Sequence, residues 1–132
     1  MSLAAAEWKM SDALVLQSIY MSATKKGATL RDIISCGDYI DRSIFTYEEM
    51  YNALAKLISN KVIIHSKKGP ETSKEFKTLY EKGKISRDVA KETRKSFTIL
   101  QDKFPLGTII ALDEAILNKS SFEKAVQKYL QS

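Results

Sequence analysis

The chain has 132 residues, of which 44% are hydrophobic and 28% charged, with a net charge of +5 and one cysteine. This composition indicates a single globular domain with its own core, and one cysteine excludes an intrachain disulfide. No apolar run approaches the roughly 20 residues that a bilayer requires. Residues 1–10 lack the basic start and apolar run of a signal peptide. We therefore expect a cytoplasmic protein with no membrane partner.

The positive charge is unevenly distributed. Residues 1–66 hold seven basic and seven acidic side chains, residues 67–104 hold eleven and six, and residues 105–132 hold three of each. A basic segment on a neutral body is typical of nucleic-acid binders. A solvated lysine-rich surface would explain the same pattern, because charge balance bears on association and not on fold.

Two helices are predicted in the first third of the chain. Ser11 is a candidate N-cap for a helix over 12–23. Thr29 and Asp32 form a weak capping box for the next helix. Gly37 would lie inside that second helix, where it costs about 1 kcal/mol relative to Ala. Either it allows a close approach of another helix, or the helix ends there.

The third helix has the clearest pattern, with apolar residues at spacings of three and four from Tyr47 to Ile58. Thr46 and Glu49 match the capping box. Asn60 would end the helix, because Asn tolerates the left-handed conformation, and the β-branched run 62–64 then predicts a strand. The outward side of this helix is predicted to carry Glu48, Glu49, Asn52, Ala53, Lys56 and Ser59.

Downstream of the strand, residues 67–72 would form a basic turn and a short or irregular second strand, because Pro70 cannot donate to a ladder. The remaining elements are predicted to be a helix capped by Ser73, a short strand or packed connector over 108–112, and helices over 86–103 and 121–131. The narrow apolar stripe from Ile85 to Phe104 fits either a partner helix or packing onto the protein's own core.

Four stretches together resemble the winged helix-turn-helix superfamily: Leu30-Arg-Asp-Ile-Ile, Gly37-Asp-Tyr-Ile, Thr46-Tyr-Glu-Glu and Leu54-Ala-Lys-Leu. More narrowly, the chain is similar to small stand-alone winged-helix proteins of unassigned function. The resemblance covers residues 11–80. It implies a mainly α fold with a small β wing, namely a winged helix-turn-helix over 1–80, including an N-terminal arm, and a helical C-terminal extension over 81–132 packed on the same domain. The chain departs from the superfamily at Asn60, where Gly is usual, and in its irregular wing.

The resemblance implies a DNA-binding, transcription-regulator-like protein whose helix over 46–59 enters the major groove. Asn52 would contact adenine in a bidentate manner, and Lys56 would reach phosphate. Lys67 and Lys68 on the wing would also contact phosphate, so binding would weaken steeply with salt.

Two acidic residues favour a different function. Glu48 and Glu49 would face a polyanion in the first turn of the recognition helix. The alternative is a non-enzymatic protein-interaction module of winged-helix type. Such a module would recognise protein or self-associate through 86–103 and 121–131.

Neither a cofactor, a metal nor an enzymatic activity is expected. His65 is the only histidine and Cys36 the only cysteine, whereas a zinc site needs about four ligands. A Cys36–His65 dyad is formally possible, but a helix residue and a strand-end residue are the simpler interpretation. The chain has no glycine-rich phosphate loop and no nucleophile elbow.

Overall fold

The structure, a computed structural model, describes residues 7–23 and 28–131. This part of the chain contains helices and one two-stranded antiparallel sheet, so the predicted mainly α class with a small β element is confirmed. The start of the N-terminal arm, residues 1–6, and residues 24–27, which follow the first predicted helix, lie outside the described residues. No helix in the described ranges is both long and apolar enough to cross a membrane. The elements are α1 (Met10–Ser22), α2 (Leu30–Asp41), α3 (Tyr47–Ser59), β1 (Ile63–Ser66), β2 (Gly69–Thr72), α4 (Lys74–Glu81), α5 (Val89–Lys103) and α6 (Lys119–Leu130).

Local capping sets the starts of α2 and α3. The Thr29 hydroxyl accepts from the Asp32 amide at 3.1 Å, and the Thr46 hydroxyl accepts from the Glu49 amide at 3.1 Å. The acidic side chains accept in return from the two threonine amides. Each box satisfies amides that have no partner inside the helix, and both helices begin where the sequence predicts.

Gly37 lies within α2, which continues to Asp41, so the alternative that the helix ends at this glycine is wrong. A Cβ at position 37 would lie 2.3 Å from Cε2 of Phe45. The close approach is therefore present, but the partner is a buried aromatic ring in the α2–α3 connector rather than another helix. Arg42 ends α2 in the left-handed conformation, with φ of 57°.

The end of α3 differs from the prediction by one residue. Asn60 has a φ of −101°, and Lys61 adopts the left-handed conformation with φ of 60°. Asn60 stabilises the end of α3 through its side chain instead. Its Nδ2 donates to the carbonyl of Lys56 at 2.8 Å, and its Oδ1 accepts from the amide of Gly107 at 2.9 Å.

The strands β1 and β2 form a short hairpin in which His65 pairs with Pro70 and Ser66 with Gly69. The short second strand agrees with the limit that Pro70 sets on the ladder. Gly69 has a φ of 101°, and a Cβ there would lie 2.4 Å from the carbonyl oxygen of Ala28. Only glycine therefore allows the hairpin to lie this close to the chain leading into α2.

The C-terminal helices pack onto the first three, with α5 against α1 and α6 against α2 and α3. For α5 this confirms packing onto the protein's own core. The helix α5 begins after the N-cap Asp88 rather than at residue 86, and α6 begins after the N-cap Asn118 rather than at residue 121. The predicted stripe forms part of the buried face of α5 through Thr93 and Leu100, whereas Ile85 precedes the helix and is 49% exposed. That face carries Glu92, Thr93, Ser96 and Leu100.

Candidate nucleic-acid interface

The exposed surface of α3 is narrow. Residues of an α-helix are about 100° apart around its axis, and one side of α3 faces the core through side chains that are at most 2% exposed: Met50, Ala53, Leu54 and Leu57. Ala53 was predicted to point outward, and this is wrong. On the far side Glu48 and Asn52 are exposed, but Ala55 is only 4% exposed. We call Glu48 and Asn52 the exposed ridge.

Lys56 lies inside the protein and is 7% exposed. Its ammonium is 2.6 Å from the Asp12 carboxylate and donates to the Glu7 carbonyl at 2.9 Å. The Asp12 carboxylate also accepts from the amide of Lys9 at 2.8 Å. The prediction that Lys56 points outward to phosphate is therefore wrong, because its charge is used to join α3 to the start of α1.

One side of α3 is covered by the connector between α5 and α6, residues 105–117, which we call the strap. The strap has no strand, so of the two alternatives for 108–112 the packed connector is observed. Three strap amides donate to α3 and its C-cap: Gly107 to Asn60 at 2.9 Å, Ile110 to Ser59 at 2.8 Å, and Leu112 to Tyr51 at 3.1 Å. These bonds extend over about two helical turns. Nothing in the sequence signals them, because the donors are backbone groups.

The helix α6 covers a second part of the same surface. The Phe122 ring lies edge-on to Tyr47 with 5.8 Å between centroids, and the Tyr129 hydroxyl donates to Asp38 on α2. Glu49 is half-buried and engaged in its cap. The structure thus leaves Asn52 exposed and buries Lys56, the two base- and phosphate-contacting residues predicted on α3.

The hairpin turn presents both of its predicted residues, since Lys67 and Lys68 are exposed. The amide of Lys68 donates to the Ser66 hydroxyl at 3.2 Å, which helps to fix the turn. Of the eleven basic side chains in residues 67–104, nine are exposed, against five of the six acidic ones. The positive surplus of this segment is therefore at the surface and free to attract an anionic partner.

A buried polar network that the sequence did not indicate joins α1, α4 and α5. The Tyr80 hydroxyl donates to Glu92 at 2.8 Å and accepts from Gln17 at 3.0 Å, while the Ser96 hydroxyl donates to Gln17 at 2.6 Å. The Lys95 ammonium lies 4.3 Å from the centre of the Tyr80 ring. Burial raises the pKa of Tyr80 to about 12. The phenol therefore stays protonated at neutral pH and acts as a donor to Glu92, not as a base.

The groups considered for chemistry lie apart. Cys36 is half-buried on α2, where its sulfur accepts from the Ser22 hydroxyl at 3.3 Å, and His65 is exposed on β1. Within residues 7–23 and 28–131, no three His, Cys, Asp or Glu side chains are grouped so that they could hold a metal ion.

Comparison of the chain with protein families, with curated proteins and with solved structures gives no match. The winged-helix resemblance therefore stays a prediction from the sequence.

Proposed function

We propose that the protein is a DNA-binding protein of winged-helix type, transcription-regulator-like, which contacts duplex phosphates with its hairpin. The observation that carries the proposal is the exposed Lys67-Lys68 turn at the tip of a hairpin that follows α3 directly. Three helices followed by two antiparallel strands is the order that the winged-helix resemblance implies. Lysines at the tip of the hairpin stand where a wing would reach a phosphate.

The side chains of the surface favour phosphate contacts over base reading. Each lysine that neutralises a phosphate releases condensed counterions, which supplies affinity without sequence information. Asn52 is exposed on α3 and could contact adenine, but Glu48 lies one turn before it and would face the polyanion. We therefore propose binding that depends strongly on the hairpin and only weakly on sequence.

A second candidate is the non-enzymatic protein-interaction module, and the covered state of α3 favours it. The strap and α6 leave an exposed ridge with one acid and one amide, which suits a protein surface better than a groove lined with phosphates. The helix α5 packs on α1. The helix α6 packs on α2 and α3 as well, so the part of the predicted self-association surface that remains is its outer side, where Leu130 is 58% exposed.

Fluorescence anisotropy of a labelled generic duplex at low and at near-physiological salt tests the proposal. We expect wild-type dissociation constants on the order of 10⁻⁴–10⁻⁶ M, weakening steeply with salt. The double variant Lys67→Glu/Lys68→Glu should lose binding. The matched control is Lys119→Glu/Lys124→Glu, which makes the same charge change at exposed positions of α6.

The outcomes separate the two candidates. Unchanged duplex affinity of the hairpin variant at the same salt would mean that the hairpin does not contact DNA. Equal losses of duplex affinity in the hairpin variant and the α6 control would mean that affinity depends only on the net charge of the protein. Absence of wild-type binding at low salt would reject DNA binding and favour the protein-interaction module.

A further inference from the structure

The middle of the strap is held by hydrogen bonds and by Leu106 and Leu112, which are partly buried against the core. Its two ends are anchored, since Phe104 just before it is 5% exposed and Leu117 is 2% exposed. Between these anchors Thr108 and Ala111 are exposed, and Ile110 is 68% exposed. Connectors of this length without a helix or strand are uncommon in compact domains, and many of them are functional loops.

The strap occupies polar groups that suit a nucleic acid. Its amides donate to the hydroxyls of Tyr51 and Ser59 and to the amide oxygen of Asn60. Tyr, Ser and Asn side chains are among those that contact phosphates and base edges in protein–DNA interfaces. Displacement of the strap would place these three groups beside Asn52 on a wider polar face of α3.

The N-terminal arm contacts the residue that precedes the strap. The indole of Trp8 donates to the carbonyl of Phe104 at 2.7 Å, immediately before the strap. The neighbouring carbonyl of Glu7 accepts from Lys56 on α3. The arm therefore contacts both the start of the strap and the helix that the strap covers.

We infer that the strap is an autoinhibitory cover of α3, which must move aside before the helix can make close contact with a duplex. The inference rests on the proposed DNA binding and adds a regulation of the same site. In the closed form only the hairpin contacts DNA, and binding is weakly selective. In the open form α3 contributes as well, so duplex binding and strap closure compete.

The strength of the closing bonds fits a reversible cover. One net hydrogen bond changes an equilibrium by roughly 2- to 10-fold. Three such bonds, together with the partial burial of Leu106 and Leu112, hold the middle of the strap in place. Because the two ends stay anchored, the middle can open while the domain remains folded.

A proline scan of the strap tests the inference. Ile110→Pro removes the amide that bonds Ser59, whereas Ala111→Pro places the same residue one position on, at an exposed residue whose amide is not one of the three donors to α3. We expect Ile110→Pro to bind the generic duplex roughly 2- to 10-fold more tightly than wild type. Ala111→Pro should bind like wild type.

Amide hydrogen exchange provides a second readout. The Gly107 and Leu112 amides should be protected in the free protein and should exchange faster when the wild type is saturated with duplex, because linkage is reciprocal. If duplex binding depends on the hairpin but the protection of the Gly107 and Leu112 amides does not change, the inference is wrong and the proposed function stands. Equal duplex affinities of the two proline variants would have the same meaning. If neither wild type nor Ile110→Pro bound duplex at low salt, the proposed function would fail and the inference with it.

Discussion

The lysine on α3 and the lysines on the hairpin are the same residue type in opposite environments. Lys56 is 7% exposed and paired with Asp12 at 2.6 Å. Lys67 and Lys68 are exposed at a turn. An exposed ammonium can exchange its counterions for phosphate, whereas a buried one that already has a carboxylate cannot. Whether a lysine can contact an anionic partner therefore depends on whether the fold buries it against a carboxylate, and the sequence around the lysine does not show this.

The largest expected effect comes from the buried lysine. Lys56→Met would leave the Asp12 carboxylate buried without its cation, and we expect it to lower the free energy of unfolding by about 3–5 kcal/mol. The same substitution at the hairpin, Lys67→Met, should change stability by no more than about 0.5 kcal/mol. Chemical denaturation of both variants measures the difference. Similar shifts for the two would mean that Lys56 is not paired inside the protein.

An intermediate effect is expected at alkaline pH, from the network around Tyr80. Burial raises the pKa of Tyr80 from 10.0 to about 12, and burial together with the Glu81 hydrogen bond raises that of Tyr20. The native state therefore holds these protons more tightly than the unfolded state. Their contribution is fully present below about pH 10 and is lost as the pH rises through the folded values.

Unfolding free energies measured between pH 8 and pH 12 test this sign. For Tyr80 we expect a loss on the order of 1–3 kcal/mol over that range. Tyr80→Phe should be less stable at pH 8, because Glu92 and Gln17 lose a partner, but its stability should depend less on alkaline pH. A variant with the same pH dependence as wild type would show that Tyr80 does not titrate in this way.

Local signals in the sequence predicted the starts of α2 and α3 and the hairpin, but the predicted N-cap Ser11 is wrong, because α1 begins at Met10 after the N-cap Lys9. The capping boxes of α2 and α3 depend on residues three apart, and the short hairpin follows from the chemistry of Pro70, so each could be recognised from a few neighbouring residues. Their positions agree with the structure. The exposure of Asn52, Lys67 and Lys68 also agrees, while their contact with DNA stays a prediction.

Features that depend on distant residues could not be predicted. Asp12 and Lys56 are 44 positions apart, so periodicity placed the lysine on a solvated face. The inner face of α5 also carries Glu92 and Ser96, which are joined by hydrogen bonds through Tyr80 and Gln17. A search for apolar residues at helical spacing does not identify buried polar residues of this kind. The strap uses backbone amides, which every residue except proline has.

The most direct test of the hairpin as the DNA-contacting element is the salt dependence of duplex affinity, measured for wild type and for Lys67→Ala/Lys68→Ala. Each phosphate contact contributes about 0.9 to the slope of log affinity against log salt concentration. Loss of both lysines should therefore reduce the slope by about 2. An unchanged slope would contradict the proposal that these two lysines contact phosphate.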